Sequence, residues 1–260
     1  MDNLKITVYQ GYLFWEKIDK NLQNIGLRLS GIREKTDLII LPEMFNTGFT
    51  MNAVEMGEPM GGKTMQWMQK IAQQYNCVVT GSLIITDKEK HYNRLIWMRP
   101  DGTYKHYDKR HLFGLGKEDD TYTAGKKKLI VELKGWKICP IICYDLRFPV
   151  WLRNVGKDTY DLLLIVANWP ERRSLHWRTL IPARAVENQC YVIGVNRVGH
   201  DGNEVYHSGD STCIDPMGNV VYYKRDEEDV YTFSILADEV ALARRAFPFL
   251  KDADKFEIKD

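Results

Sequence analysis

Apolar and polar positions in the first ninety residues follow two different periodicities. Residues 4–9 alternate like a short strand, whereas apolar side chains from 18 to 32 recur at three- and four-residue spacing, as in an amphipathic helix. Residues 37–41 form a short apolar run, typical of a strand covered on both faces. A second helix is predicted over 65–75 and a strand over 77–85. This order predicts strands that alternate with helices.

Beyond residue 90 the pattern predicts a hairpin, a polar loop and further strands. Strands at 94–98 and 103–107 flank Pro100-Asp101-Gly102, whose residue types favour a tight turn. A polar loop with several glycines follows over about 109–127. Further strands are predicted at 129–133, 136–142, 162–166, 191–195, 211–214, 219–223 and 230–235, with helices at 183–189 and 237–245.

Two prolines inside these segments predict local irregularities. Pro140 has no backbone N–H, so its strand should lie at a sheet edge or contain a bulge. Pro182 predicts that the neighbouring helix begins or kinks there. No Ser/Gly-rich linker or charge block divides the chain, and strands alternate with helices in both halves. We therefore expect one α/β domain over residues 1–260.

Composition narrows the class of protein. The 36 basic and 35 acidic residues give a net charge of +1 and a pI near 7.6, which argues against a general nucleic-acid binder with a basic face. No apolar run approaches the roughly 20 residues of a membrane span, and residues 1–5 contain no secretory signal pattern. Five cysteines, an odd number in a long chain, favour reduced thiols. We expect a cytoplasmic protein whose partners include neither nucleic acid nor membrane.

Side chains with reactive or polar groups follow four of the predicted strands. Glu43, Lys109 and Cys143 each come shortly after a strand end, and Asn168 and Trp169 follow a fourth strand. In open α/β sheets, ligands gather beyond the carboxyl ends of the strands. The sequence therefore predicts that an acid, an amine and a thiol meet in one pocket.

Each of these three side chains also has an ordinary structural interpretation. Free cysteine is usually a small buried hydrophobe, Glu43 could be a solvated loop carboxylate, and Lys109 lies in a charged run. A chemical role is favoured for Cys143 because the apolar strand ends there abruptly, and a helix N-terminus with a nearby cation would favour the thiolate. A desolvated Glu43 suits proton transfer, and a fixed Lys109 charge suits an oxyanion.

Three segments resemble the signatures of the nitrilase superfamily and occur in that family's order. They are Leu41-Pro42-Glu43-Met44-Phe45, Tyr107-Asp108-Lys109-Arg110-His111-Leu112-Phe113 and Ile142-Cys143-Tyr144-Asp145-Leu146-Arg147-Phe148-Pro149. The likeness continues through Arg184-Ala185-Val186-Glu187-Asn188 and Ser208-Gly209-Asp210-Ser211, so it covers nearly the whole chain. Within the superfamily the chain is similar to the ω-amidase branch, which hydrolyses ω-amides of 2-oxo acids such as 2-oxoglutaramate.

The resemblance implies a four-layer α-β-β-α sandwich, with two sheets face to face and helices outside, in a homodimer or larger homo-oligomer. It implies that Cys143 attacks the amide carbonyl and that Glu43 carries the protons. Lys109 and the backbone N–H of Tyr144 would hold the oxyanion, and Glu118 matches a second glutamate that orients this machinery. The C-terminal segment, about 237–260, is expected at an oligomer interface. No metal or cofactor is implied.

The expected substrate is a small 2-oxo dicarboxylic acid monoamide of the 2-oxoglutaramate or 2-oxosuccinamate type. Its carboxylate needs a cation, most naturally an arginine. Arg172 and Arg173 are the better candidates, because Arg147 is expected to brace the nucleophile turn. Phe113 and Trp169 would wall the pocket or serve only in packing. An aliphatic amide, an N-carbamoyl compound or a nitrile would suit the same mechanism.

Three other classes of protein share some of these sequence features. A zinc hydrolase is disfavoured because Cys139 and Cys143 are four apart and no His-Glu-x-x-His motif occurs. A papain-like enzyme would use His111 or His176 as its base, although His176 resembles a family position that makes a structural hydrogen bond. A binding protein with a vestigial site would tolerate loss of the acid, amine or thiol, and all three are present.

Overall fold

The computed structural model describes residues 1–156 and 158–258. The strands are β1 Leu4–Gln10, β2 Leu38–Ile40, β3 Val78–Asp87, β4 Lys90–Met98, β5 Tyr104–Asp108, β6 Val131–Leu133, β7 Trp136–Ile142, β8 Leu162–Val166, β9 Tyr191–Val195, β10 Val198–His200, β11 Tyr206–Ile214, β12 Val220–Arg225 and β13 Asp229–Ile235. The α-helices are α1 Ile18–Leu29, α2 Ala53–Met56, α3 Lys63–Tyr75, α4 Glu118–Thr121, α5 Pro149–Leu152, α6 Ser174–Asn188 and α7 Ala237–Ala246. Four 3₁₀ helices span Gly114–Gly116, Cys143–Arg147, Glu171–Arg173 and Phe249–Asp252.

The strands form two sheets that mix parallel and antiparallel pairs. The first has the order β13-β1-β2-β3-β4-β5, and the second has the order β10-β11-β9-β8-β7-β6 with β12 also paired to β11. In each sheet the central strands are parallel: β1, β2 and β3 in the first, and β7, β8 and β9 in the second. Parallel strands buried on both faces are uniformly apolar, which accounts for the run in β8, where every residue is buried.

The two sheets pack face to face between two helical layers. Side chains from β1, β2, β7, β8 and β9 belong to the same apolar core between the sheets. A second core lies under α1 and α3, outside the first sheet, and α6 packs on β9 and β11 of the second. The arrangement is the predicted α-β-β-α sandwich. Among the described residues, no helix has the length and apolar character needed to cross a bilayer.

Most predicted strands and helices lie within a few residues of their observed bounds, but one helix prediction was wrong. Of the two alternatives at Pro182, a helix start is wrong, because helix α6 begins at Ser174 and continues through the proline. Pro182 has no backbone N–H, so the carbonyl of Arg178 lacks its usual helical donor. Arg178 lies on the exposed face of the helix. Strand β7, which contains Pro140, is not the edge strand that was predicted, but its pairing with β6 ends at Ile138, so Pro140 has a strand partner on the β8 side only. Strand β10 was not predicted.

Candidate functional site

A cavity of about 410 Å³ opens where β2, β5, β7 and β8 end. Its lining includes the predicted acid Glu43, the predicted amine Lys109 and the predicted thiol Cys143. Asn168, which follows β8, lies beside them. The strand order explains this convergence, since β2 and β5 belong to the first sheet and β7 and β8 to the second. Sheet packing therefore brings together groups that are far apart along the chain.

Lys109 lies between two carboxylates in the interior. Its Nζ is 2.9 Å from Oε1 of Glu43 and 3.0 and 2.8 Å from Oε1 and Oε2 of Glu118. The lysine is 1% exposed and both glutamates are 0% exposed, so all three groups are withdrawn from water. Burial works against the charged lysine, but Glu118 and Glu43 outweigh it and raise the pKa of Lys109. The ammonium is therefore a fixed positive charge.

Glu118 has hydrogen-bond donors on both oxygens. Oε1 accepts from Lys109 and from Nδ2 of Asn93, and Oε2 accepts from Lys109 and from the backbone N–H of Phe113. Burial raises the pKa of Glu118, while the attraction of Lys109 opposes that rise. These four hydrogen bonds occupy the lone pairs of the carboxylate. Glu118 therefore has no oxygen free to take a proton from a reactant.

Glu43 differs from Glu118 because one of its oxygens faces the thiol. Oε1 accepts from Lys109 and Asn93, whereas Oε2 accepts from the backbone N–H of Asn168 at 2.8 Å. The carboxylate also lies close enough to the Cys143 thiol that its charge raises the pKa of that thiol. The side-chain amide of Asn168 donates in turn to the Glu43 backbone carbonyl. These contacts hold Glu43 against Cys143 from two directions.

Cys143 lies at the first position of the 3₁₀ helix Cys143–Arg147, with φ of +44°. Such left-handed geometry is uncommon for a non-glycine residue and is typical of functional turns. Burial, followed by the charge of Glu43, raises the pKa of the thiol well above its usual value, and Lys109 opposes this only in part. The expectation of a stabilised thiolate was therefore wrong for the free protein. Deprotonation requires a base, and Glu43 is in contact.

Tyr144 follows the thiol in the same turn and lines the cavity. Backbone N–H groups in the first turn of a helix have no acceptor within that helix. The turn is held on its buried side by Asp145, which is 0% exposed. Asp145 accepts from the Tyr107 hydroxyl at 2.8 Å, and from the backbone N–H of His111 and of Ile142 at 3.0 and 3.1 Å.

The walls of the cavity contain all five residues predicted to contact substrate. They are Phe113, Arg147, Trp169, Arg172 and Arg173. The Arg147 guanidinium stacks on Trp169 at 4.7 Å and bonds Nδ1 of His176 at 3.0 Å, which agrees with the bracing role expected of Arg147 and the structural bond expected of His176. The Arg173 guanidinium lies 5.0 Å from the Phe113 ring centre. Arg173 is half-buried, whereas Arg172 is exposed.

Several lining or supporting residues were not predicted. Asn93 donates to both Glu43 and Glu118, yet in the sequence it is one polar residue in an ordinary strand pattern. One feature points to the site. Asn93 precedes Arg94, and the strand partner of Arg94 is Asp108, the residue before Lys109. Trp15, the loop residue Asp201 and the β11 residue His207 also line the cavity. No periodicity or spacing relates them to the three signatures.

The rival chemistries find less support in the geometry. His111 stacks on Phe148 at 3.7 Å and bonds Asp145, so its ring is occupied at the back of the nucleophile turn. Neither His111 nor His176 is among the residues that line the cavity. Cys139 is buried in the core rather than beside Cys143. Over residues 1–156 and 158–258, no three His, Cys, Asp or Glu side chains are grouped in a way that could hold a metal ion.

Comparisons with known proteins agree with this geometry. Residues 5–245 match the carbon-nitrogen hydrolase family model. The chain is 43% identical to Omega-amidase YafV of Escherichia coli (strain K12), covering 99% of this chain and 100% of that protein. It is 32% identical to 2-oxoglutaramate amidase of Bacillus subtilis (strain 168), over 96% and 97%. A crystal structure from Xanthomonas campestris, described as a CN-hydrolase superfamily protein with an arsenic adduct in the active site, superposes with a TM-score of 0.97 at 42% identity, covering all of both chains.

Proposed function

Because the chain belongs to the carbon-nitrogen hydrolase family, we propose that it is an ω-amidase that acts through a thioester on Cys143. The observation that carries this proposal is the position of Glu43, which contacts both the Cys143 thiol and the Lys109 ammonium. An amide is a poor electrophile with a poor leaving group. Its cleavage needs a nucleophile, a proton carrier and an oxyanion site together, and this cavity holds candidates for all three.

In the acylation step, the sulfur of Cys143 attacks the amide carbonyl carbon while Glu43 takes the thiol proton. The C=O electrons move onto oxygen, and the oxyanion is held by Lys109 and the backbone N–H of Tyr144. Glu43 then gives its proton to the amide nitrogen, so the C–N bond breaks and ammonia leaves. The raised thiol pKa makes the base necessary, because the free protein holds little thiolate near neutral pH.

In the deacylation step, Glu43 takes a proton from water, whose oxygen attacks the thioester carbonyl. The C–S bond breaks, the acid is released, and the sulfur recovers the proton from Glu43. Glu118 has no free oxygen for such transfers. Its role in the proposal is to hold the ammonium of Lys109 in place, as a fourth residue beside the Glu-Lys-Cys triad.

The proposed substrates are ω-amides of 2-oxo dicarboxylic acids, such as 2-oxoglutaramate and 2-oxosuccinamate. Support comes from the relatives named as ω-amidase and 2-oxoglutaramate amidase. It also comes from Arg172 and Arg173 in the cavity wall, since arginine suits recognition of a carboxylate. Arg173 is the better placed because it is half-buried and stacked on Phe113. The same triad would cleave an aliphatic amide, an N-carbamoyl compound or a nitrile. The side chains that line the cavity therefore determine which substrate is preferred.

The proposal extends to location and assembly. All five cysteines are free, which suits the reducing cytoplasm. Exposed apolar side chains in the C-terminal segment 237–260 support a homodimer in which this segment meets the partner; they include Leu242, Phe247 and Phe249. Residues 259–260 of that segment lie outside the described residues. We treat residues 1–260 as one domain, because both sheets contribute to a single core.

Rapid mixing with 2-oxoglutaramate, followed by acid quench and intact-mass measurement, tests the proposal. The expected result is a mass gain equal to the substrate minus ammonia, together with ammonia release. The adduct should map to Cys143 after digestion and be absent from Cys143→Ala. A wild-type protein that releases no ammonia from any ω-amide would refute the assignment, and an adduct on another cysteine would refute the mechanism.

A further inference from the structure

Asp210 occupies a strained bulge in the second sheet. Its φ is +61°, and the register of β11 against β12 shifts between Gly209 and Ser211. A non-glycine residue in the left-handed region persists only where its surroundings hold it, and such residues cluster at functional sites. The residue belongs to Ser208-Gly209-Asp210-Ser211, a segment with no role in the reaction steps above. The contacts of Asp210 therefore indicate which part of the structure this strained residue holds in place.

The Asp210 carboxylate is 2% exposed and bonded on both oxygens. Oδ2 accepts from the hydroxyls of Ser174 at 2.8 Å and Ser208 at 2.6 Å. Oδ1 accepts from the Tyr223 hydroxyl at 2.5 Å. The Asp210 backbone carbonyl accepts from Nε1 of Trp177 at 2.8 Å. Asp210 thus joins the bulge to the first turn of α6.

Ser174 is the residue that directly follows the 3₁₀ helix Glu171–Arg173, and this short helix carries both substrate-facing arginines. The start of the same helix is held by Arg225, whose Nη2 lies 3.3 Å from Oε1 of Glu171 and whose Nη1 lies 3.9 Å from Oδ1 of Asp210. The arginine segment is therefore attached to Asp210 at both ends, through Ser174 and through Arg225.

We propose that Asp210 is a positioning residue for substrate charge selectivity, because it holds the helix Glu171–Arg173 so that Arg173 faces the cavity. This inference rests on the proposed function, since it assumes an anionic ω-amide. A carboxylate gains most from a guanidinium that is already oriented, and a displacement of about 1 Å in such a group can cost about a hundredfold in rate. Arg225 contributes further by pairing with Glu171. This carboxylate therefore does not compete with the substrate for Arg172 and Arg173.

Positive charges lie close together at this wall of the cavity. Burial lowers the pKa of Arg173, and the neighbouring charges of Arg172 and Arg147 lower it further. Three guanidinium groups that share one wall repel one another, so the segment needs an external anchor to keep them together. Asp210 supplies that anchor without occupying the cavity, because Asp210 is not among the lining residues.

The two oxygens of Asp210 provide a matched pair of variants for the test. Ser174→Ala removes a donor from Oδ2 and breaks the direct link between Asp210 and the end of the arginine segment, whereas Tyr223→Phe removes a donor from Oδ1 and leaves that direct link intact. The measurement is the ratio of kcat/KM for 2-oxoglutaramate to that for pentanamide, a neutral amide. Ser174→Ala and Asp210→Ala should lower the ratio about tenfold, mostly through KM for the anion. Tyr223→Phe should leave it unchanged.

Calorimetric binding of 2-oxoglutarate gives a readout that does not depend on turnover. Its Kd should weaken about tenfold in Ser174→Ala and stay constant in Tyr223→Phe. Equal losses on both amides, or an unchanged Kd in Ser174→Ala, would overturn the inference while leaving the ω-amidase proposal standing. If Asp210→Ala does not fold, the result for Ser174→Ala alone tests the positioning role. Failure of the wild type to hydrolyse any ω-amide would instead refute the proposed function.

Discussion

The hydroxyl of Tyr107 donates to Oδ2 of Asp145 at 2.8 Å, which joins the strand that leads to Lys109 to the turn that carries Cys143. Both side chains are buried; Tyr107 lies in β5 of the first sheet, and Asp145 lies in the turn that follows β7 of the second. Each lies two positions from a proposed catalytic group. This bond therefore fixes the ammonium and the sulfur relative to each other across the interface between the sheets.

Tyr107→Phe should lower both stability and turnover. A hydrogen bond to a buried charge contributes about 1.5–3 kcal/mol, so we expect a melting temperature several degrees lower and a kcat reduced about tenfold. The matched control is Tyr75→Phe, which removes a hydroxyl bond to the Leu29 carbonyl far from the cavity. Thermal unfolding and kcat are measured for both. A normal kcat in Tyr107→Phe would contradict the role of this bond in the site.

Glu43→Gln should lower the pKa of the Cys143 thiol and yet abolish hydrolysis. After burial, the Glu43 charge is the largest cause of the raised thiol pKa, while Lys109 acts in the opposite direction. A neutral glutamine removes the repulsion of the thiolate and keeps the attraction of Lys109, so the titration midpoint moves down.

Thiolate absorbance near 240 nm, followed against pH, checks this prediction. Cys143→Ser provides the background, because burial raises the pKa of the four other thiols. Ammonia release measured on the same sample should fall to background. A midpoint that rises in Glu43→Gln, or turnover that persists, would show that the carboxylate does not act on the thiol.

Lys109→Met and Cys143→Ala should differ sharply in stability although both abolish activity. Without the ammonium, Glu43 and Glu118 remain as two buried carboxylates with no cation between them. Loss of one partner from a buried ion pair costs about 3–5 kcal/mol, or about 6–20 °C in melting temperature for a chain of this size. Cys143→Ala changes a half-buried side chain at the cavity and should melt near the wild type. A large fall in Cys143→Ala would instead indicate a packing role for the thiol.

Arg173→Ala should raise KM for an anionic ω-amide more than KM for a neutral amide. Loss of a charge-assisted hydrogen bond of about 1.5–3 kcal/mol predicts an increase of roughly tenfold or more for the anion. Arg172→Ala should have the smaller effect, because Arg172 is exposed. Steady-state kinetics with 2-oxoglutaramate and pentanamide separate the two. Equal effects on both substrates would count against carboxylate recognition by this wall.

The proposed homodimer predicts a sedimentation coefficient above that of a 30.3 kDa monomer at micromolar concentration. Replacing Phe247 and Phe249 by serine removes apolar surface from the C-terminal segment and should shift the equilibrium toward monomer. Leu27→Ser, an exposed apolar residue on α1, serves as the matched control and should leave assembly unchanged. A wild-type protein that sediments only as a monomer would rule out the dimer.

The sequence by itself determined the alternation of strands and helices and the three groups at strand ends. Local periodicity is enough for this, because burial on one or both faces dictates which residues are apolar. Glu43, Lys109 and Cys143 could be named because each comes shortly after the end of a predicted strand. The resemblance to a known family added Glu118, whose surroundings in a polar loop contain no periodic signal.

Only the tertiary structure decided which groups contact one another and in which protonation state. Asn93 bridges Glu43 and Glu118 because a loop, a short helix and a strand meet there, and the pattern of its own strand does not indicate this role. The raised pKa of Cys143 depends on burial and on a carboxylate a hundred positions earlier in the chain. The anchoring of Glu171–Arg173 by Asp210 likewise needs a bulge from another strand. Periodicity records which face of an element is buried, whereas charge, hydration and hydrogen bonding depend on neighbours that only packing of the two sheets brings together.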